Sequence, residues 1–260
     1  MALFRTLRRS WRGCPAWWVR ACLVAAPALV GCVAATAQAL ISPVLIEFKP
    51  KQKIATIRVA LSDKATRPMR LQAQLLSWRQ DAHGAAITQP SDDLVVTPRI
   101  ADIKPGSQQV LRLALRGSLP ADTEMAYRLV LEDIEDGPTI DAGGGAAVNF
   151  RMAYDLPVLV APRGPVVGAL RWRGCPTTTP RAANGSCVQL VNAGNRRVKV
   201  QALTLAGDGW RKSIDLGEGV AVLAGDEREW SVGELASGPV RSVLVRMVGG
   251  EELQAEPAGS

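Results

Sequence analysis

Short runs rich in valine, isoleucine and leucine recur along the chain, and Gly, Pro, Asn and Asp residues separate them. Before Pro162 the runs are SPVLIEF (42–48), IATIRVAL (54–61), MRLQAQLLSW (69–78), DLVVTP (93–98), QQVLRLAL (108–115), AYRLVLEDI (126–134) and AAVNFRMAYDLPVLVAP (146–162). Residues of this kind favour β-strands. No stretch sustains an apolar repeat of about 3.6 residues, so we expect few helices. The sequence therefore predicts an all-β fold.

A segment rich in Pro and Gly, APRGP at 161–165, divides the runs into two series. The second series is ALRWRG (169–174), CVQLVNAG (187–194), RVKVQALTLA (197–206), GVAVLAG (219–225), REWSVGEL (228–235) and VRSVLVRMVGG (240–250). Short strands with a turn signal about every ten residues are typical of an immunoglobulin-like sandwich. We expect a leader at 1–39, an immunoglobulin-like domain at 40–162 and a smaller β-sandwich domain at 163–260.

The first 39 residues have the composition of a secretory signal. Five arginines precede an acid-free apolar run, Ala21 to Val33, which leads to the small-residue pattern Ala37-Gln38-Ala39. We expect cleavage after Ala39. A second possibility is LVGC at 29–32, which resembles the site where bacterial lipoproteins are lipidated on cysteine. Contact with a membrane is expected only if Cys32 is lipidated, and both routes predict a periplasmic location.

Removal of the leader changes the charge of the chain. The formal net charge of +7 comes from 31 basic and 24 acidic residues. Because the leader holds five of the basic residues and no acidic one, the mature chain has 26 against 24. A nearly neutral chain gives no electrostatic reason to expect a nucleic-acid partner.

Cysteine and histidine usage argues for a disulfide and against a metal site. Three of the five cysteines lie in the leader, which leaves Cys175 and Cys187. In an oxidising compartment, two such cysteines are expected to form a disulfide. The only histidine is His83, beside Gly84 in a segment predicted to turn, so we expect no zinc site.

The sequence offers no catalytic motif. There is no Gly-x-Ser-x-Gly elbow to place a serine beside His83. The glycines at 143–145 lack the Gly-Lys-Ser/Thr sequel of a phosphate-binding loop. The acidic pairs Asp92-Asp93 and Glu132-Asp133 are adjacent, so on an extended chain their side chains point to opposite faces. We therefore expect neither an enzyme nor a bound cofactor or nucleotide.

The run at 146–162 alternates in an unusual way. Its apolar positions are Val148, Phe150, Met152, Tyr154, Leu156, Val158 and Val160. The other parity carries Asn149, Arg151 and Asp155. One strand face of this kind normally packs on the core of its own domain. Either this face does the same, or another molecule covers it.

The order of the motifs in residues 41–162 resembles the PapD-like periplasmic chaperones of fimbrial assembly, in particular the archaic type associated with spore coat protein U. The resemblance rests on ISPVLIEF, LVVTPRIADIKPGSQQVLRL, EMAYRLVLEDI and LPVLVAP. It implies two immunoglobulin-like domains in a boomerang arrangement. It also implies a chaperone that completes the sandwich of a pilus subunit with a donor strand and delivers the subunit to an outer-membrane usher.

The resemblance also assigns residues. It places Val148, Phe150, Met152, Tyr154 and Leu156 in the donor row that binds the subunit. Members of the family hold the subunit's C-terminal carboxylate with two basic residues, but Leu45 and Pro157 occupy the corresponding positions here. Another cation is then required, because a desolvated carboxylate without a partner is costly.

We take Arg128 as the first candidate for this anchor and Arg151 as the second. The resemblance gives Glu124 an ion pair at the domain junction. Since Ala161 stands at the basic position that would pair with it, we expect that ion pair to be lost or to involve Arg163. Trp78 is expected in the core of the first sandwich. The alternative function is a structural β-sandwich protein of the cell envelope, lipid-anchored or not, without chaperone activity.

Overall fold

A computed structural model describes residues 39–117, 122–135, 139–141, 147–149, 151–175, 186–233 and 238–259, with 139–141 and 147–149 described by their backbone alone. The leader lies outside the described residues. Every regular element in the described ranges is a β-strand, which confirms the all-β prediction. Within those ranges, no helix is long and apolar enough to cross a membrane.

Nineteen strands form in these ranges. They are β1 (Ala39–Ser42), β2 (Ile46–Phe48), β3 (Ile54–Leu61), β4 (Met69–Gln80), β5 (Ala86–Pro90), β6 (Leu94–Thr97), β7 (Ile100–Ile103), β8 (Gln108–Leu115), β9 (Met125–Asp133), β10 (Thr139–Asp141), β11 (Ala147–Asn149), β12 (Ala153–Val160), β13 (Leu170–Gly174), β14 (Ser186–Asn192), β15 (Val198–Gly207), β16 (Trp210–Val222), β17 (Glu227–Gly233), β18 (Ser242–Met247) and β19 (Glu252–Pro257).

Strands β1 to β12 form the first domain, in which two sheets face each other. One sheet has the order β1-β3-β8-β6, and the other has the order β2-β12-β9-β4-β5, with β7 also paired to β4. The strands alternate between buried and exposed residues, as β3 shows with its buried Ile57 and Val59. Leu113 of the first sheet and Leu129 and Val158 of the second belong to the same apolar core.

The first run of the sequence crosses from one sheet to the other. Strand β1 pairs antiparallel with β3, whereas β2 pairs parallel with β12. Residues 43–45, which connect them, therefore carry the chain from the first sheet to the second. This crossing leaves only the short strand β2 beside β12.

Strands β13 to β19 form the second domain. They make one continuous sheet in the order β16-β15-β18-β19-β13-β14-β17, joined at its middle by a short parallel pairing of β13 with β19. Side chains from both ends and the middle of this sheet, such as Trp230, Leu203 and Leu170, share one core. A single sheet can enclose one core in this way only by folding over itself. The boundary predicted at Pro162 between the two domains stays a prediction.

The disulfide predicted between Cys175 and Cys187 is present. It connects the end of β13 to the start of β14, where Cys175 N–H also donates to the carbonyl of Cys187 at 3.2 Å. Residues 176–185, which it encloses, lie outside the described residues.

Ion pairs connect the two domains, and one of them corrects the sequence prediction. Glu124 is buried and pairs with Arg197 of the second domain, with 2.8 Å between Oε2 and Nη1. Arg197 also pairs with Glu47. The ion pair of Glu124 is therefore kept, and its partner comes from the second domain. The expectation that it would be lost or involve Arg163 was wrong.

Candidate functional site

One edge of β12 is open over half of its length. On one side β12 pairs with β9 from Ala153 to Val160. On the other side β2 pairs only with Val158 to Val160. In the part of the chain that the structure describes, no strand pairs with Ala153–Pro157 on that side. We call this segment the open edge.

The backbone of the open edge points outward at alternate residues. Asp133 N–H donates to the carbonyl of Met152 at 2.9 Å, so Met152 bonds toward β9. In an antiparallel ladder this direction alternates, so the backbone groups of Ala153, Asp155 and Pro157 point away from β9. Proline has no N–H to leave unpaired there, which explains why Pro157 is tolerated. The open edge thus offers the N–H groups of Ala153 and Asp155 and nearby carbonyls to an added strand.

The structure divides the predicted donor row between two strands. Val148 lies on β11, which pairs with Ile140 of β10 in a hairpin separate from the main sheets. Its side chain and the whole of Phe150 lie outside the described residues. Met152 precedes β12 and is 53% exposed.

The lower part of the row faces inward. Tyr154 is half-buried against the core of the first domain, and Leu156 is only 7% exposed. Strand alternation places Leu156 on the same face as Val158, between the two sheets. Leu156 is therefore a core residue, and its assignment to the donor row does not hold.

A cation lies on the outer face of the same sheet, beside the open edge. Arg128 of β9 pairs in register with Pro157 on one side and Leu76 on the other. Its guanidinium lies 3.9 Å from the centroid of the Trp78 ring. Its Nη1 is 3.6 Å from Oδ1 of Asp155. The predicted anchor candidate therefore stands next to Pro157, one of the two positions where a basic residue was expected and not found.

Trp78 corrects another prediction. The register pairs Ser77 with the buried Tyr127, so Trp78 faces outward and lies on the surface that carries Arg128. The expectation that it belongs to the core of the first sandwich was wrong. Arg151, the second anchor candidate, precedes β12 and is exposed. Leu45 is 39% exposed.

A cleft of about 520 Å³ opens between the two domains beside Trp78. Residues from both domains line it, including Trp78, Arg79, Ala126, Tyr127, Leu223 and Asp226. Burial, and then the hydrogen bond from its hydroxyl to Asp93 at 3.0 Å, raise the pKa of Tyr127 well above its ordinary value. Burial also raises the pKa of Tyr154, with a smaller contribution from the charge of Asp133.

The described residues contain one group with the spacing of metal ligands. The donor atoms of Cys175, Cys187 and Glu229 lie within 4.8 Å of one another. Both sulfurs are joined in the disulfide, so the thiolates that a soft metal requires are not present in this form.

Comparison with known protein families identifies the family of the first domain. Residues 39–165 match the family model of the Pili and flagellar-assembly chaperone, PapD N-terminal domain. The first domain belongs to the pilus-chaperone family. The resemblance inferred from the motifs at 41–162 is thereby confirmed. A comparison with curated protein sequences gave no match.

Solved structures share the two-domain fold of this protein. A chain of the CsuC–CsuE chaperone-tip adhesion subunit pre-assembly complex, from the archaic chaperone-usher Csu pili of Acinetobacter baumannii, is 17% identical with a TM-score of 0.61, and the match covers 86% of this chain and 100% of that one. A chain of a chaperone-tip adhesin complex of CFA/I fimbriae biogenesis is 15% identical with a TM-score of 0.57, over 85% and 100%. The class 5 fimbriae chaperone CfaA is 15% identical with a TM-score of 0.55, over 85% and 100%. The protein is therefore built from two immunoglobulin-like domains.

Sequence reasoning missed two parts of the site. Arg197 is 73 residues away from Glu124, and no local pattern connects them. The stacking of Arg128 on Trp78 depends on the register of β4 against β9, which no motif encodes. The apolar residues Met69, Leu71, Ala73 and Leu75 alternate along β4. Continuing that alternation to Ser77 would have placed Trp78 on the outer face.

Proposed function

We propose that this protein is a periplasmic chaperone that binds a pilus subunit by adding its open edge to the subunit's incomplete sheet. The observation that carries the proposal is the open edge, Ala153–Pro157 of β12, which pairs with β9 on one side only among the described residues. This edge belongs to a domain of the pilus-chaperone family. An added strand would take main-chain hydrogen bonds from this edge. Left uncovered, such an edge is an aggregation hazard, so a protein that keeps one has a use for it.

Apolar side chains next to the open edge supply the second part of the interaction. Met152 is exposed, and we propose Val148 and Phe150 as the preceding members of the row, with Tyr154 at its inner end. Each large side chain that enters a pocket of the subunit contributes roughly 1.5–3 kcal/mol before ordering costs. These contacts would add to the main-chain hydrogen bonds of the open edge.

Arg128 is the proposed anchor for the subunit's C-terminal carboxylate. Its side chain is 23% exposed, so solvent can still reach it while Trp78 restricts its position. An arginine can bind a carboxylate through two parallel hydrogen bonds. Arg151, which precedes the open edge in sequence and is exposed, is the second candidate.

The names of the similar structures support a subunit as the partner. Two of them are complexes of a chaperone with a tip adhesin or tip adhesion subunit, and one belongs to a chaperone-usher pathway. We propose that this chain is exported through a leader cleaved after Ala39 and hands its subunit to an outer-membrane usher. The next subunit's strand would then replace the chaperone's strand, so that no nucleotide is required.

The donor row is tested by co-purification. Phe150→Asp and Met152→Asp are each expected to leave the chaperone folded and to abolish its co-purification with a co-expressed pilus subunit. Ile87→Asp is the matched control, since Ile87 is 51% exposed on β5 at the opposite edge of the same sheet. Normal recovery of the subunit by both donor-row variants would contradict the assignment.

The anchor is tested separately. Arg128→Ala is expected to reduce recovery of the subunit at least tenfold, because the terminal carboxylate would lose its charged partner. Arg99→Ala is the control, since Arg99 forms an exposed ion pair with Asp92 on the same domain. Equal recovery with the two variants would rule out Arg128 and direct attention to Arg151.

A further inference from the structure

We infer that Asp155 holds the guanidinium of Arg128 while the chaperone is empty, and that the subunit's terminal carboxylate replaces Asp155 on binding. This inference rests on the proposed function, because it assigns Arg128 a carboxylate ligand. It adds an internal competitor that sets how tightly the ligand is held.

The existing ion pair is loose. The Nη1–Oδ1 distance of 3.6 Å is within the range of an ion pair but too long for a good hydrogen bond. The side chain of Asp155 is 55% exposed, so water screens the pair. Exposed pairs of this kind contribute little to stability. Asp155 can therefore leave Arg128 at small cost.

The hydrogen-bonding capacity of Arg128 is incompletely used. Its Nε is buried and has no hydrogen-bond partner in the described part of the chain, so an added carboxylate must approach the guanidinium through Nη1 and Nη2. Asp155 is tethered to β12 and contacts the guanidinium through Oδ1, which lies 3.6 Å from Nη1. A carboxylate free of that tether can align with the guanidinium and form the two parallel hydrogen bonds that Asp155 does not form. The incoming group is thus the better partner.

Trp78 keeps the anchor in place through the exchange. The ring lies against the guanidinium at 3.9 Å, which is the distance of a cation–π contact. This contact does not depend on which carboxylate is bound. The guanidinium then requires little reorganisation when its partner changes.

The position of Asp155 couples the exchange to strand addition. Asp155 lies within the open edge, and its backbone is one of the groups that an added strand would bond. Strand addition and the exchange at Arg128 therefore involve the same residue of β12.

The test measures carboxylate binding at Arg128 in the mature chain without a subunit. Acetate serves as the untethered carboxylate, and the Nε–H resonance of Arg128 in nitrogen-15 spectra reports binding, with sodium chloride at matched ionic strength as the reference. The resonance is assigned with Arg128→Lys. We expect Asp155→Asn, and likewise Asp155→Ser, to lower the half-saturating acetate concentration about two- to fivefold.

Asp92→Asn is the matched control, because Asp92 also forms an exposed ion pair with an arginine of the same domain. It should leave the acetate midpoint unchanged. An equal midpoint in wild type and both Asp155 variants would overturn the competitor role and leave the donor-strand proposal intact. If acetate does not shift the Nε–H resonance of Arg128 in the wild type or in any variant, this inference and the anchor role of Arg128 are both overturned. The co-purification of Phe150→Asp and Met152→Asp decides the donor strand independently.

Discussion

Tyr127 shows how a single side chain connects the core to the cleft. Its ring is 1% exposed in the core of the first domain, and its hydroxyl donates to Asp93 at 3.0 Å. Both burial and the neighbouring carboxylate disfavour the charged phenolate, so they raise the pKa of Tyr127. The other tyrosine of the chain, Tyr154, is shifted in the same direction.

We expect the folded chaperone to resist ionisation of its tyrosines in alkali. Because the folded pKa of Tyr127 lies above the unfolded value of about 10, the stability it contributes is complete below that pH. This stability is lost as the pH rises through the folded pKa. Near-ultraviolet tyrosinate absorbance should stay low until the chain unfolds and then rise sharply.

Tyr127→Phe is the matched variant for this prediction. It removes the strongly shifted group, so its stability should fall less steeply with rising pH above about 10. Below that pH it should be about 1 kcal/mol less stable, because the bond to Asp93 is lost. Parallel curves of stability against alkaline pH for the two proteins would contradict the shift.

At the scale of the element, β12 shows what its sequence could and could not predict. Alternation alone predicted a strand, and the strand is there. It could not show where the strand would break, because no Gly or Pro marks residues 150–152 between β11 and β12. It also could not show which residues of the apolar face would be buried in the core of their own domain. Leu156 and Met152 share a parity, yet Leu156 is 7% exposed and Met152 is 53% exposed. Strand β2 pairs only with Val158–Val160, at the C-terminal end of β12.

The open edge itself gives a prediction about the backbone. Ala153→Pro removes an N–H that points away from β9, so the native sheet should keep its ladder, as it does at Pro157. An added strand would lose that hydrogen bond and meet the proline ring. We expect the variant to fold with nearly unchanged stability and to lose most of its ability to co-purify a pilus subunit.

Ala153→Ser is the control for this backbone test, since it changes the side chain and keeps the N–H. Circular dichroism and urea unfolding establish that both variants fold. Subunit recovery by Ala153→Pro equal to that by Ala153→Ser would show that the subunit does not add its strand at this edge.

At the scale of the whole molecule, ion pairs of opposite direction join the domains. The first domain contributes Glu124 to Arg197, and it contributes Arg79 to Asp226 of the second. Asp226 is 3% exposed and accepts from Arg79 Nε at 2.6 Å and from the N–H of Gln80 at 2.8 Å. Arg79, Glu124 and Asp226 also line the cleft beside Trp78, so these contacts border the cleft.

Loss of the Arg79–Asp226 pair should weaken the junction measurably. Arg79→Ala leaves the Asp226 carboxylate buried without its cation, and Asp226→Ala leaves Gln80 N–H without its acceptor, so each should cost about 1–3 kcal/mol. The double variant should cost less than the sum of the two, since they remove one interaction. Urea unfolding of the mature chain measures all three.

Asp208→Ala is the control, because its pair with Arg241 is exposed on both sides and should change stability by less than about 0.5 kcal/mol. Additive costs for Arg79 and Asp226 would show that the two side chains do not stabilise the junction as a pair.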